Sequence, residues 1–307
     1  MPVPKLHPDE IDIDESVVKT LLASQFPEWA NLPLEFVPTS GTDNVIIRLG
    51  EDMVVRLPRH ESAVTRLEAE HRWLPGLAPL LPLSVPEPLA LGHPDRHVPW
   101  SWAISRWLDG EPATNDRIDA PQQGAAALGR FVAAMQRIDP SAGPTPGAWN
   151  SFRGAPLASR DGPTQHALAA LGDTVPTVAV TAAWEAALGA PPWEGPGVWI
   201  HGDLQVGNLL ARAGRLDAVI DFGCMCVGDP AGDVMAAWTY LTGNTRARFR
   251  AELAIDDATW ERGRGWALSM GLIALPYYRE TNPVFADVAR RMIDEVLTDL
   301  WSGRSDR

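Results

Sequence analysis

The chain has 307 residues, of which 45% are hydrophobic and 21% are charged, a size and composition that suit a globular protein with a sizeable core. Its apolar runs fall well short of the roughly 20 residues that span a membrane, and its acidic N-terminus lacks the apolar stretch of a secretory signal. A formal net charge of −13 argues against nucleic acid or an anionic membrane as the main partner.

The same charge would suit a cationic substrate, although an acidic surface that only maintains solubility is the simpler interpretation. Cys224 and Cys226 are the only two cysteines. Without further cysteines or nearby histidines, we interpret them as small buried residues rather than as a zinc site. So few cysteines fit a reducing cytoplasm, which is the predicted location.

The first 108 residues predict strands and two helices. Gly41 separates the first two strands and Gly50 follows the second, a pattern typical of a meander with tight turns. Pro75 and Gly76 are expected to end the second helix. The predicted ranges are a helix at 12–25, strands at 34–38, 44–49 and 53–57, a helix at 61–74, and strands at 87–91 and 100–107.

Residues 109–112 are predicted to start a linker, and the sequence after it predicts mainly helices. Residues 139–165 are rich in Pro, Gly and Ser and predict a long surface segment, in which Trp149, Phe152 and Arg153 either reach a substrate or pin the segment down. The predicted ranges are helices at 120–138, 165–171, 180–188, from 233 onward, 260–275 and 284–300, and strands at 198–201, 208–212 and 216–221.

One motif carries most of the chemical information: His201-Gly202-Asp203, then Asn208, then Asp221-Phe222-Gly223. This order and spacing are typical of phosphotransferases of the protein-kinase type. In that chemistry the residue at the place of Asp203 accepts the proton of an acceptor hydroxyl. Asn208 and Asp221 offer the oxygen ligands that Mg²⁺ prefers. The motif therefore predicts phosphoryl transfer from a nucleotide to a small molecule.

Two residues around this motif have predicted structural roles. Asp233 is predicted to be the N-cap of the helix that follows it, or to hold the backbone from His201 to Asp203 in shape. His201 is predicted to be a structural hydrogen-bonding residue rather than an acid or a base.

In the first part of the chain, Arg56 ends the third strand, where kinases carry the basic residue that binds phosphates. Glu70 on the next helix is its predicted partner. Glu68 is the alternative, and only one of the two can face the cleft because they are about 200° apart around a helix. The loop at 40–44, with Gly41 and Asn44, lies where kinases cover the nucleotide phosphates.

Together these motifs resemble the aminoglycoside phosphotransferase family of small-molecule kinases, over about residues 12–302. The resemblance implies an α+β, protein-kinase-like fold with two lobes. The N-lobe, 1–108, would bind the nucleotide through an antiparallel sheet and a helix, and the mainly helical C-lobe, 109–307, would hold the catalytic loop and the substrate pocket. The implied cofactors are ATP, or GTP, and Mg²⁺.

The resemblance also implies that backbone groups around Ser105–Leu108, including Ser105 and Trp107, hold the adenine ring. The main departure from protein kinases is Arg56, where they carry Lys. An arginine can bind two phosphate oxygens at once, so we do not interpret this departure as a loss of activity.

The phosphate acceptor stays open between an aminoglycoside or other antibiotic and a metabolite such as an amino alcohol or a sugar. An aminoglycoside pocket needs several carboxylates, and the aromatic tract at 266–280, with Tyr277 and Tyr278, would suit a less polar acceptor unless it only packs in the core. A non-catalytic nucleotide-binding protein is the alternative from another class, and either a monomer or a homodimer is expected. The candidate carboxylates are Asp109, Glu111, Asp161 and Glu280.

Overall fold

A computed structural model describes residues 11–38 and 43–305. Its first part is a five-stranded antiparallel sheet with the strand order β1-β2-β3-β5-β4. The five predicted strands are confirmed in type and order. Their bounds are β1 Leu34–Phe36, β2 Asn44–Leu49, β3 Met53–Pro58, β4 Pro88–Gly92 and β5 Trp102–Arg106.

Two helices, α1 (Glu15–Gln25) and α2 (Val64–Leu77), accompany this sheet. Asp14 caps α1 by accepting hydrogen bonds from the amides of Ser16 and Val17. The buried face of α1 packs on the apolar side chains of β2, which alternate between buried and half-buried positions along the strand. Helix and sheet together enclose a separate small core.

The predicted end of α2 at Pro75-Gly76 is wrong, because the helix continues to Leu77. Pro75 has no N–H and removes one intrahelical hydrogen bond. Leu74 and Leu77, on either side of it, are buried in the large core of the protein. Burial of these two side chains is worth more than the lost hydrogen bond, so the helix persists for one further turn.

The second part of the chain is mainly helical. Five of its six predicted helices are present, and the one predicted from 233 onward is instead two four-residue helices that begin at 231 and 236. Between α3 and α4, in the predicted surface segment, lie only short 3₁₀ turns. The helix α10 packs along α9, which is buried on several sides. The helices are α3 Pro121–Arg137, α4 Asp161–Leu171, α5 Thr177–Leu188, α6 Ala231–Val234, α7 Ala236–Thr239, α8 Gly243–Arg250, α9 Asp257–Tyr278 and α10 Pro283–Ser305.

Two small sheets lie within this part, with the orders β6-β8-β9 and β7-β10. The prediction missed β6, because a Gly-Glu-Pro sequence is typical of a linker; its Glu111 and Pro112 pair with Ala211 and Leu210 of β8. The strands are β6 Glu111–Pro112, β7 Val198–Ile200, β8 Leu209–Arg212, β9 Arg215–Val219 and β10 Cys226–Gly228.

Among the described residues, no helix combines the length and the apolar character that a bilayer span requires. Cys224 and Cys226 are both buried and free, as predicted. Cys224 lies in a 3₁₀ turn and Cys226 in β10, so the pair does not share one strand.

Candidate active site

The loop after β7 is held by one buried carboxylate. Asp233 accepts hydrogen bonds from the backbone N–H groups of His201 and Gly202, both at 2.8 Å. Burial raises the pKa of Asp233, and these two hydrogen bonds oppose that rise. Asp233 lies inside α6 rather than before it, so the N-cap prediction is wrong and the predicted support of the loop backbone is confirmed.

Gly202 is required by the same loop. Its φ of 79° lies in the left-handed region, and a Cβ there would stand 2.9 Å from the carbonyl oxygen of Cys224 and 3.0 Å from Cβ of Arg153. The glycine therefore allows three chain segments to meet next to Asp203.

His201 has the structural role that was predicted. Its Nδ1 accepts a hydrogen bond from the backbone N–H of Asp203 at 3.2 Å, so Nε2 carries the proton and donates to the carbonyl of Ile220 at 3.1 Å. The ring also packs edge-on against Phe222, with 4.6 Å between the ring centroids. His201 thus connects the loop of Asp203 to the end of the strand that precedes Asp221.

The side chain of Asp203 is fixed from two directions. Asn208 donates from Nδ2 to both the carbonyl oxygen and Oδ2 of Asp203, each at 2.9 Å. Nη2 of Arg153 lies 3.4 Å from Oδ1 of the same carboxylate. The arrangement presents a partly exposed carboxylate in a defined orientation, as a base that receives a hydroxyl proton requires.

Asp221 follows β9 in a left-handed conformation, with φ 64° and ψ 67°. A non-glycine residue rarely adopts this conformation outside functional or strained sites. Its Oδ1 lies 3.6 Å from Nη2 of Arg56, and 49% of its side chain stays exposed and therefore reachable by a ligand.

The environment of Asp221 is rich in negative charge. Burial raises the pKa of Asp221 to about 6; Arg56 opposes this rise, whereas the carboxylates of Glu70, Asp203 and Asp43 add to it. A bound cation would relieve this repulsion.

These residues fit a magnesium ion. The amide nitrogen of Asn208 is used by Asp203, and its amide oxygen is the atom that could ligate a metal together with the Asp221 carboxylate. Within the described ranges, no group of three or more His, Cys, Asp or Glu is arranged to hold a metal alone. Two protein oxygens completed by phosphate and water match the way in which proteins usually hold Mg²⁺.

The predicted ion pair between Arg56 and Glu70 is present. The guanidinium of Arg56 donates to Oε1 of Glu70, and Oε2 of Glu70 accepts from the backbone N–H of Phe222 at 3.1 Å. Burial would lower the pKa of Arg56, but the charges of Glu70 and Asp221 raise it. Glu68 faces outward and accepts from Ser101 at 2.7 Å, so it is not the partner of Arg56.

The predicted adenine segment joins the two parts of the chain. Ser105 is buried on β5, paired with Val54 of β3 and Pro88 of β4. The backbone N–H of Trp107 donates to the carbonyl of Asp52 at 2.8 Å. A purine held at this segment would therefore use backbone groups other than the Trp107 N–H.

The phosphate-loop residues are described in part. Gly41 lies outside the described residues. Asn44 begins β2, and its Oδ1 is buried without a hydrogen-bond partner among the described residues. Asp43 before it accepts from Arg66 of α2 at 2.7 Å, which holds this end of the loop against the helix.

Two arginines lie near Asp203. Arg66 was not predicted from the sequence, and the role of Arg153 was left open between contacting a substrate and pinning its segment down. Arg66 donates to the carbonyl of Trp149 and to Oγ of Ser151, both at 2.9 Å. The neighbouring Ser151 and Phe152 both have positive φ, near 55°, and this turn directs Arg153 to Asp203. Neither is glycine, so no sequence signal could have indicated the turn.

The four candidate carboxylates of the acceptor pocket have other partners. Asp161 accepts from the indole N–H of Trp184 at 2.8 Å, and Asp109 from that of Trp107 at 2.9 Å. Glu111 and Glu280 form exposed ion pairs with Arg117 and Arg279. These contacts do not join any of the four to Asp203.

The aromatic tract at 266–280 divides between two environments. Trp266 is fully buried, and Tyr278 packs against Phe285 of α10. Tyr277, in contrast, is 59% exposed. Core packing therefore explains Trp266 and Tyr278.

A family model described as a phosphotransferase enzyme family matches residues 37–266. No curated protein matches the sequence significantly. Among solved structures, the GDP and kanamycin complex of APH(2'')-IIIa is 16% identical, with a TM-score of 0.73 over 93% of this chain and 99% of that chain.

Two further solved structures show the same similarity. The macrolide 2'-phosphotransferase MphH from Brachybacterium faecium is 23% identical, with a TM-score of 0.58 over 91% of this chain and 97% of that chain. The streptomycin and ATP complex of APH(2'')-IIa is 15% identical, with a TM-score of 0.58 over 92% of this chain and 99% of that one. At these identities the likeness concerns the fold, and the predicted α+β, protein-kinase-like fold is confirmed.

Proposed function

The chain belongs to the phosphotransferase enzyme family, and from this premise we propose that it transfers the γ-phosphate of a magnesium-bound nucleoside triphosphate to a hydroxyl of a small molecule. One observation carries the proposal. Asp203, hydrogen-bonded to Asn208, lies close enough to Asp221 to raise its pKa, and Arg56 approaches Asp221 from the sheet. This arrangement supports the proposal that Asp203 is the base, Asn208 and Asp221 are magnesium ligands and Arg56 is the phosphate-binding cation.

Asp203 would orient the acceptor hydroxyl and accept its proton as the bond to phosphorus forms. One hydrogen bond from Asn208 holds a carboxylate oxygen of Asp203 and another holds its backbone carbonyl. The hydrogen bonds that Asp233 accepts keep the loop behind it rigid. Such preorganisation is the main contribution that a protein makes to phosphoryl transfer.

Asn208 and Asp221 would hold Mg²⁺, which when bound neutralises the phosphate charge. Arg56 would contact the phosphates, and Glu70 would hold it in that position. Asn44 and Gly41 are proposed to cover the phosphates, and the backbone at Ser105 and Trp107 to hold the base. Structural neighbours were solved with GDP, ADP or ATP, so both ATP and GTP stay within the proposal.

The acceptor is proposed to be a small hydroxyl compound, either an antibiotic, as in the neighbours solved with kanamycin or streptomycin, or a metabolite such as a sugar. Residues 1–108 are the proposed nucleotide-binding lobe and 109–307 the proposed substrate lobe. A cytoplasmic location agrees with two buried cysteines that form no disulfide.

The decisive test compares the wild-type enzyme with Asp203→Ala, using nucleotide, Mg²⁺ and a panel of aminoglycosides, macrolides, amino alcohols, sugars and hydroxy acids. We expect kcat to fall by at least about 10²-fold, because the proton acceptor is lost. Asp217→Ala is the matched control, since among the described residues the carboxylate it removes from β9 forms an ion pair only with the exposed Arg212.

The alternative, a non-catalytic nucleotide-binding protein, gives a different outcome. Nucleotide and Mg²⁺ would then stabilise the protein against heat, yet no acceptor would be phosphorylated faster by the wild type than by Asp203→Ala. That result would refute the proposed function.

A further inference from the structure

The guanidinium of Arg153 stands beside the proposed base with most of its hydrogen-bonding capacity unused. Its side chain is 14% exposed, and Nη2 lies 3.4 Å from Oδ1 of Asp203. Nε and Nη1 are buried and have no hydrogen-bond partner among the described residues. Unsatisfied buried donors on a charged group are costly, so the guanidinium of Arg153 has donors left for an acceptor atom of a ligand.

The position of Arg153 is fixed by its backbone. Its carbonyl accepts from Nδ2 of Asn150 at 3.2 Å and from Sγ of Cys226 at 3.0 Å, and its amide donates to the carbonyl of Asn150 at 3.2 Å. Asn150 and Cys226 are both fully buried. The unused donors therefore belong to an ordered residue of the site and not to a mobile surface side chain.

A second cation, Arg160, reinforces the positive charge. Its contacts are long, at 3.3 Å to Oγ of Ser269 and 3.5 Å to the carbonyl of Ser151, and its guanidinium lies 5.4 Å from the ring centroid of Trp266. Burial lowers the pKa of Arg160 to about 10, and the positive charge of Arg153 contributes to this decrease. Neither the serines nor the indole neutralises this guanidinium.

From this geometry we infer that the acceptor carries an anionic group, a carboxylate or a phosphate, which the guanidinium of Arg153 binds with the support of Arg160. Because the same guanidinium contacts Asp203, the anionic group would lie within a few bonds of the reacting hydroxyl. The acceptor class would be a hydroxy acid or a phosphorylated alcohol. This inference rests on the proposed function and specifies its substrate.

The charge distribution disfavours the opposite class, a polycationic acceptor. The guanidinium of Arg153 next to Asp203, together with the nearby charge of Arg160, would repel such a molecule. Asp161 and Asp109, two of the candidate carboxylates for such a molecule, accept hydrogen bonds from tryptophan side chains and do not contact Asp203. The net charge of −13 is a property of the whole chain and does not describe the surroundings of Asp203.

The test uses acceptors that differ mainly in charge, with nucleotide and Mg²⁺ at saturation. Glycerate, glycerol and 3-amino-1,2-propanediol form one matched series, and gluconate, glucose and glucosamine form another; 3-phosphoglycerate represents the phosphates and kanamycin the polycations. We expect the highest kcat/KM with an anionic member. In Arg153→Ala, KM for that acceptor should rise about 10- to 100-fold, as expected for loss of hydrogen bonds between charged groups.

Three further variants separate a binding role from a structural one. Arg153→Lys keeps the charge and should restore part of the loss in KM. Arg160→Gln should raise KM for the anionic acceptor more than for the neutral member of the same series. Arg212→Ala removes a surface arginine that pairs with Asp217 and should leave KM unchanged. Thermal unfolding of each variant shows whether it is folded.

Two outcomes overturn the inference while leaving the proposed function intact. In one, glycerol, glucose or kanamycin is phosphorylated at least as efficiently as every anionic acceptor. In the other, Arg153→Ala lowers kcat equally for all acceptors without changing their KM, which would place Arg153 on the transferred phosphoryl group. Failure of the wild type to phosphorylate any acceptor counts against the proposed function itself.

Discussion

Glu70 connects three parts of the candidate site through one carboxylate. One oxygen binds Arg56 of β3, and the other accepts from the backbone N–H of Phe222, directly after Asp221. Only 3% of the Glu70 side chain and 11% of that of Arg56 are exposed. A buried ion pair adds little net stability compared with apolar residues, but removal of one partner leaves an uncompensated buried charge.

We therefore expect Glu70→Ala to lower the free energy of unfolding by roughly 3 kcal/mol or more, because Arg56 and the Phe222 N–H both lose their partner. Urea unfolding without nucleotide measures the change. Glu68→Ala is the control on the same helix, since Glu68 is exposed and contacts only Ser101. Its effect should stay within about 0.5 kcal/mol, and equal effects of the two variants would contradict the assignment.

The sequence allowed the charged centre of the site to be predicted residue by residue. Asp203, Asn208 and Asp221 follow a fixed spacing, and helix geometry limited the partner of Arg56 to Glu70 or Glu68. Arg66 and Arg153 could not be placed in this way. The left-handed turn at Ser151 and Phe152 orients Arg153 and brings Ser151 to Arg66, and neither side chain of the turn indicates it.

At the level of elements, the contact between α9 and α10 depends on a missing side chain. A Cβ on Gly271 of α9 would stand 2.8 Å from the carbonyl oxygen of Ala289 and 3.2 Å from Cβ of Met292, both on α10. The glycine permits the two long helices to approach closely. Glycine in a helix costs about 1 kcal/mol relative to alanine, and the close packing of the two helices offsets this cost.

This packing predicts that two Gly→Ala substitutions change the free energy of unfolding in opposite directions. Gly271→Ala should destabilise the protein by about 1–3 kcal/mol, because the backbone of α10 must move. Gly76→Ala in α2, where a Cβ would meet nothing within 4 Å, should stabilise it by roughly 0.5–1 kcal/mol. Chemical denaturation of both variants tests the pair, and the same sign for both would refute the packing argument.

Element types were predicted well because hydrophobic periodicity is local, whereas some boundaries were set by distant contacts. α2 extends past Pro75 because Leu77 enters a core formed largely by later residues. β6 exists because β8, about a hundred residues away, offers it an edge to pair with. Neither partner is visible within the local sequence window.

At the scale of the whole molecule, several contacts connect the first part of the chain to the helical part, and hydrogen bonds of Ser84, Arg66 and Glu70 are among them. Ser84 forms backbone hydrogen bonds with Asp217 and Val219 at 3.1 and 2.9 Å. Arg66 reaches Trp149 and Ser151, and Glu70 reaches Phe222. The last two place the proposed nucleotide site where both parts contribute charges, so occupancy of that site should affect the stability of the whole chain.

The effect of site occupancy on the stability of the chain can be measured most directly at Asp221. Its pKa is raised to about 6, so the folded protein binds a proton there more tightly than the unfolded chain does. The stability that this proton provides is present at low pH and is lost as pH rises through 6. At pH 7.5 the ionised carboxylate is a cost to the free protein, reduced by its partial exposure.

We accordingly expect Asp221→Asn, which suits the left-handed backbone, to be at least as stable as the wild type at pH 7.5 without ligands. With ATP and Mg²⁺ present, we expect the wild type to be more stable than Asp221→Asn. A nucleotide at 100 times its Kd stabilises the protein by about 2.7 kcal/mol. Asp221→Asn should lose most of the part of this stabilisation that depends on Mg²⁺, because it lacks the carboxylate that would bind the metal. Thermal melts with nucleotide alone, and with nucleotide plus Mg²⁺, separate the stabilisation by the nucleotide from the further stabilisation by Mg²⁺. Asp217→Ala should behave like the wild type in both, and an undiminished magnesium effect in Asp221→Asn would rule out Asp221 as the metal ligand.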